Sequence, residues 1–188
     1  MLAHHVDKCT TLRMLQPHHA EELCRLTEAN RDHLRRWLPW LDHSREVKDS
    51  ATFIAGNVRG FADNGTFTCG IWYEGALCGV LGYNRIDWGN KTAFPGYWLA
   101  RDFEGKGIMT SCCRVLVRHA FAEYRLNRVA IHVATENHRS QAIPDRLGFA
   151  KEGVLRQAEW LYDHFVDHTV NGLLRSEAAA ELTSEVSS

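Results

Sequence analysis

Between residues 11 and 16 apolar and polar side chains alternate, the two-residue period of a strand with one covered face, and Pro17 closes the run. Ala20, Leu23, Cys24, Leu26 and Thr27 then recur at three-to-four spacing, which predicts a helix. A second short helix is expected within residues 30–41, carrying Leu34, Trp37 and Leu38 on one side ahead of Pro39, and a third over residues 50–62, after which Asn64-Gly65 turns the chain. From Thr66 the period changes to two. Strands are predicted over residues 66–72 and 76–86 around a Glu74-Gly75 turn, and over 92–100 after a Gly89-Asn90 turn. A helix over about residues 107–124 should turn Ile108, Cys112, Val115, Leu116, His119 and Ala120 inward. A β-rich run at 128–134, a short helix at 140–147 and strands near 149–159 and 165–174 complete the pattern. The tail, 176–188, is polar and alanine-rich and is expected to fray.

Seven strands and their helices make a mixed α/β chain, mostly antiparallel. The fourth and fifth strands, 92–100 and 128–134, are joined by a helix and are therefore parallel. A length of 188 residues suits one core, so residues 1–175 are read as a single domain followed by the tail. With 22 basic and 23 acidic residues the net charge is -1, which supplies no general pull toward nucleic acid or an anionic membrane; a polyanionic ligand would have to be held locally. The first residues lack the basic and then apolar segments of a secretory signal, and no apolar run reaches spanning length, so a cytoplasmic protein is expected. Six scattered cysteines show no Cys-x2-Cys pair and read as reduced, mostly buried apolar residues.

The most informative stretch leads from the strand ending at Ala100 through Glu104-Gly105-Lys106-Gly107-Ile108-Met109-Thr110 into a helix. Gly105 and Gly107 clear side chains from a place where a ligand can approach the main chain. The amides that open the helix can then point at phosphate oxygens, aided by the helix dipole. A plain strand-to-helix turn would use the same glycines. Neither a Walker nor a Rossmann glycine pattern is present.

Taken with Tyr97-Trp98-Leu99-Ala100, with Asn137-His138-Arg139-Ser140 and with Leu147-Gly148-Phe149, the order of elements resembles the GCN5-related N-acetyltransferases (GNAT). Within that family the likeness is to the ribosomal-protein N-terminal acetyltransferases, especially the serine acetyltransferase of the acidic stalk protein, over roughly residues 10–175. The resemblance implies a GNAT fold in which the parallel fourth and fifth strands splay, with acetyl-coenzyme A as co-substrate and no metal. Its pyrophosphate would rest on the amides of Gly105, Lys106, Gly107, Ile108, Met109 and Thr110, and its pantetheine would pair with the backbone of Trp98, Leu99, Ala100 and Arg101 like an added strand. The resemblance also implies a homodimer. Asp102 stands where the family usually has glutamine or arginine. Lys106 would either supply compensating charge or be simply solvated.

Acetyl transfer needs a neutral amine, an acceptor for its proton, support for a developing oxyanion and a proton for the leaving thiolate. Many relatives place a glutamate on the fourth strand, but Phe94 occupies that position here and cannot accept a proton. Glu159 matches the glutamate that in the stalk-protein enzyme is held to act through water; a surface carboxylate is the bland alternative. Pro95 donates no amide and should sit at an edge, a bulge or the splayed side. Ser140 matches the serine near the thioester sulfur, yet would also serve as a helix N-cap. Asn137 would pin pantetheine or simply make an Asx-turn.

His164 and His168 lie on one side of either a strand or a helix, but no third ligand stands at zinc spacing. His132 reads as a residue near the cleft or as a satisfied buried imidazole, and Cys112 and Cys113 as core residues. Arg31, Arg35 and Arg36 with Trp37 and Trp40 form either a solvated helix face or a wall for an acidic peptide. The expected acceptor is a protein N-terminus, in particular N-terminal serine of a ribosomal protein. Rival acceptors are small amines such as an antibiotic or an aminoacyl-nucleotide, and a silent acyl-coenzyme A sensor is the rival of another class.

Overall fold

Glu74 (φ 50°) and Gly75 (φ 85°) both adopt left-handed backbone, as a two-residue I′ hairpin turn requires. They join β3 (Thr68–Tyr73) to β4 (Ala76–Asp87). The computed structural model of the chain describes residues 3–62 and 66–183, so the expected Asn64-Gly65 turn lies outside the described residues. The chain divides into two compact units, Met1–Asn84 with Tyr97–Met109, and Arg85–Gly96 with Thr110–Ser188.

In the first unit β1 (Ala3–His5) pairs antiparallel with β2 (Thr10–Met14), which pairs with β3, which pairs with β4. Three residues are too few for an alternation to show, so β1 escapes the periodicity, and among the described residues the sheet has eight strands where seven are expected. Asp7 closes this hairpin by accepting the amides of Cys9 and Thr10 at 2.8 and 2.7 Å. Helices α1 (Ala20–Ala29), α2 (Arg31–Arg35) and α3 (Val47–Ala62) follow β2 in the chain. The core of this unit joins Leu15, Leu23, Leu34, Leu41 and Ile54 to Trp72, Leu77, Val80 and Trp98. Helix α3 starts three residues earlier than expected because the Asp49 carboxylate accepts the amides of Arg45 and Glu46, both at 2.9 Å. Helix α2 ends at Arg35, short of the expected end, although Leu38 still donates its amide to Leu34 O at 3.0 Å.

The strand β5 (Thr92–Leu99) starts in the second unit and finishes in the first. Helix α4 (Ile108–Ala122), β6 (Arg128–Ala134), α5 (His138–Arg146), β7 (Ala150–Leu161) and β8 (His164–Leu174) follow. Hydrogen bonding runs in the order β1-β2-β3-β4-β5-β6-β8-β7. The expected parallel pair is β5 with β6, in register at Thr92 with Arg128 and at Ala93 with Val129. Pro95, which has no amide to give, stands two residues beyond the last of these pairs. The pairs β1–β2, β2–β3, β3–β4, β6–β8 and β7–β8 are antiparallel.

Helix α4 buries Cys113, Val117 and Phe121 as well as the expected Ile108, Cys112, Leu116 and Ala120. Val115 and His119 are only half-buried, so the covered stripe is wider than predicted and rotated from it. The tail also departs from expectation. Ala180–Thr183 forms a short helix, α6, and Leu182 is 2% exposed, because one leucine among polar residues suffices to dock a turn of helix. Residues 184–188 lie outside the described part. Among the described residues no helix is long and apolar enough to cross a membrane.

Candidate active site

The turn before α4 is built as an anion cradle would be. Gly105 and Gly107 both have φ of 77°, a region that costs an L-residue roughly 1–2 kcal/mol. Among the described residues, no heavy atom beyond the immediate chain neighbours lies within 4 Å of where a Cβ would sit on either glycine. Gly105, Lys106 and Gly107 are exposed, whereas the side chains of Ile108 and Met109 are buried and anchor the first turn of the helix. A 15-residue helix leaves its first amides without intrahelical acceptors, and its dipole favours negative charge there. The residues present therefore fit a phosphate group bound by main-chain nitrogen. Thr110, half-buried, continues the first turn.

Two side chains of the helical segment pin the approach to this turn. Asn30 Oδ1 accepts the Arg101 amide at 2.9 Å, and His33 Nε2 lies 3.2 Å from a Glu104 carboxylate oxygen. Neither tie is visible in sequence, since the partners lie some seventy residues apart. Lys106 is exposed, and its Nζ lies 5.4 Å from the Tyr73 ring centre and 5.0 Å from that of Phe103. Of the four residues expected to pair with pantetheine, Ala100 already donates its amide to Cys78 O at 2.8 Å, and Arg101 donates to Asn30. Trp98 is buried in the core, and Leu99 is half-buried.

In the second unit Glu159 is half-buried. Its Oε2 lies 3.3 Å from His168 Nε2, with side-chain exposures of 32% and 16%. His168 belongs to a row that sequence reading missed. On neighbouring strands His132 is level with Val170, and Ala134 with His168. The two imidazoles therefore share a face of the sheet, one diagonal step apart. Phe94 meets His132 edge-on at 5.8 Å, and the Arg85 guanidinium lies 3.9 Å over the Phe94 ring. The residue that replaces the usual glutamate thus packs into the same row. His132 is open to solvent rather than buried, contrary to one of its two sequence readings. Desolvation by its neighbours lowers its pKa first, and positive charge at His168, Arg128 and Arg85 lowers it further, against a smaller opposing pull from Glu152.

The α5 helix starts at His138, so Ser140 is its third residue and not its N-cap. Asn137 caps it instead, its Oδ1 accepting the Ser140 amide at 3.2 Å. The capping reading of Ser140 is thereby corrected, and Asn137 takes the Asx role. Gln141 donates to the carbonyls of Ala134 and Thr135, which ties this helix start to the end of β6.

The basic stretch is spent largely on structure. Arg31 bonds Glu28 and the carbonyls of Leu41 and Ser44, Arg35 forms a two-pronged bond to Asp42 at 2.9 and 2.8 Å, and Arg36 stacks over Trp37. The two histidines weighed for zinc diverge, His164 to Asp163 at 2.6 Å and His168 to Glu159. Among the described residues no group of three could hold a metal ion. Cys69, Cys78, Cys112 and Cys113 are buried and outside any disulfide, and burial pushes Cys69 up to about 11 and Cys78 up to about 12. Such thiols make poor nucleophiles.

A mixed sheet with one parallel pair, and a glycine turn feeding a long helix, place the chain in the α/β class. The family model described as an acetyltransferase (GNAT) domain matches residues 10–150. The chain belongs to that family and is an N-acetyltransferase. YdaF of Bacillus subtilis, whose name assigns it provisionally to the ribosomal N-acetyltransferases, is 37% identical over 177 residues, covering 94% of this chain and 97% of the relative. The ribosomal-protein-serine acetyltransferase of Escherichia coli is 33% identical over 166 residues, 86% of this chain and 90% of that one. Among solved structures, the microcin C7 self-immunity acetyltransferase MccE, in complex with acetyl-CoA and AMP, superimposes with a TM-score of 0.85 at 30% identity, covering 90% of this chain and 94% of the other.

Proposed function

We propose that this chain transfers an acetyl group from acetyl-coenzyme A to the α-amine of a protein N-terminus, with N-terminal serine of a ribosomal protein as the leading acceptor. The observation that carries the reading is the pair of left-handed glycines opening α4. It suits a diphosphate on the amides of Gly105, Lys106, Gly107, Ile108, Met109 and Thr110. In this reading pantetheine follows Trp98, Leu99, Ala100 and Arg101. The amide of Leu99 is the candidate donor, since those of Ala100 and Arg101 are already engaged. Asn137 is assigned to holding the Ser140 backbone in place rather than to touching the ligand.

Chemically, the neutral amine forms the new N–C bond as the C–S bond of the thioester breaks. Glu159 takes the proton of the amine through water, and the Ser140 hydroxyl gives one to the departing thiolate; solvent returns a proton to Ser140 as Glu159 releases its own, so the enzyme is regenerated. An α-amine suits a modest base. Deprotonating it at pH 7 costs about 1–1.4 kcal/mol, against nearly 5 for a lysine side chain. The serine acceptor rests on the likeness to the Escherichia coli enzyme. The likeness to MccE favours a second reading, a small amine attached to a nucleotide. Exposed Val154, Leu155, Trp160 and Phe165 on β7 and β8 are consistent with the homodimer that the family resemblance implies.

A panel of short peptides beginning with serine, alanine or a blocked residue, together with aminoacyl-nucleotides, tests the acceptor. Thiol release would be followed continuously and the products weighed by mass spectrometry. The reading expects acetylation at the α-amine of the serine peptides and a loss of about 10²-fold or more in turnover for Glu159→Gln, with coenzyme affinity unchanged. Turnover confined to nucleotide amines would replace the acceptor, and full activity in Glu159→Gln would remove the base.

A further inference from the structure

The registers of β7 against β8 carry an irregularity directly before Glu159. Leu155 is level with His168 and Glu159 with Val166, so β7 spends Arg156, Gln157 and Ala158 where β8 spends only Asp167. A uniform ladder continued from Leu155 would set Gln157 opposite Val166 and Glu159 opposite His164. The two extra residues are an even number, so they leave Glu159 on the face it would have had. They draw it along the ribbon by about 7 Å, two strand residues, to the diagonal neighbour of His168. A side-chain hydrogen bond ties the bulge to β8. Gln157, at φ 52°, donates its amide to Asp167 Oδ1 at 2.7 Å.

We propose that this bulge is a positioning device for the reaction, in which Asp167 fixes the loop of β7 and His168 receives the Glu159 carboxylate that the loop delivers. The proposal rests on the assignment of Glu159 as the base. Its physical content is the removal of rotamer freedom. A free glutamate side chain loses conformational entropy when fixed, and the contact with His168 Nε2 fixes one oxygen so that the other can face a water. Asp167 and His168 touch neither reacting atom and are positioning residues.

The test uses Asp167→Ala, which removes the acceptor, Asp167→Asn, which keeps a carbonyl oxygen for the Gln157 amide, and His168→Ala. With a serine-initiated peptide as acceptor, Asp167→Ala and His168→Ala are each expected to lower kcat about tenfold or more while KM for acetyl-coenzyme A stays within twofold. Asp167→Asn should restore most of the loss, and neither alanine change should cost anything further in a Glu159→Gln background. In parallel, NMR of the His168 ring should register Glu159→Gln strongly in the parent and hardly at all in Asp167→Ala. Equal losses with alanine and asparagine at 167, or a His168 signal that senses Glu159 with or without Asp167, would overturn the proposal. If Glu159→Gln alone leaves turnover intact, the base assignment fails instead, and the NMR pair still decides whether Asp167 sets the contact.

Discussion

Replacing Gly107 by alanine isolates the backbone contribution of the cradle. Nothing lies within 4 Å of the added Cβ, so the change introduces no clash, and its whole cost comes from holding an L-residue at φ 77°. That cost is roughly 1–2 kcal/mol, a factor of about 5–30 in an equilibrium constant. It is divided between two observables. If the turn keeps its shape the protein loses stability, and if the turn relaxes the amides leave their positions and affinity for coenzyme A falls. The sum of the two losses should therefore approach the full strain energy, and Gly105→Ala should behave alike. Valine at 107 adds a branched Cβ and should abolish binding. The internal control is Gly56 in the middle of α3, also with open space at its Cβ, where alanine should be neutral or stabilise by about 0.5–1 kcal/mol. Calorimetric titration with coenzyme A and denaturant unfolding of the same samples measure both parts. A Gly107→Ala protein with parent affinity and parent stability would refute the cradle argument.

His132 gives a pH signature. Its pKa is lowered in the folded chain, so the unfolded chain binds more protons below about pH 6.5, and the stability associated with the neutral ring is present above that value and lost as pH falls through it. Melting temperature should drop between pH 7.5 and 5 by less in His132→Gln than in the parent, and an equal drop would contradict the assignment. Leu182→Ala should destabilise by about 2–5 kcal/mol if the tail helix is docked as its burial implies. A change within a few tenths in urea titration would return the tail to a frayed end.

Reading the chain without its structure worked best where the relevant physics is local. The β-rich run from Arg128 to Ala134 is legible to the residue, and so are the Glu74-Gly75 turn and the glycine turn before α4, because period and glycine content act over a few neighbouring residues. Helix starts were less legible. Asp49 and Asn137 reach back or forward to cap amides, which shifts the ends of α3 and α5 by two or three residues without altering any periodicity. The row from Glu159 through His168 to His132 was illegible for a different reason. It depends on which residues stand level across three strands, and on a bulge that moves one of them by two places.

The amino-acid order alone determined the succession of strands and helices, the parallel pair and the open turn ahead of the long helix, since each follows from short-range pattern and chain connectivity. Folding in three dimensions decided the partners. It gave Glu159 a histidine, spent Arg31 and Arg35 on carbonyls and carboxylates, and laid Lys106 on two aromatic rings. Such pairings are set by register and packing between distant segments, and their energies exist only once those segments have met.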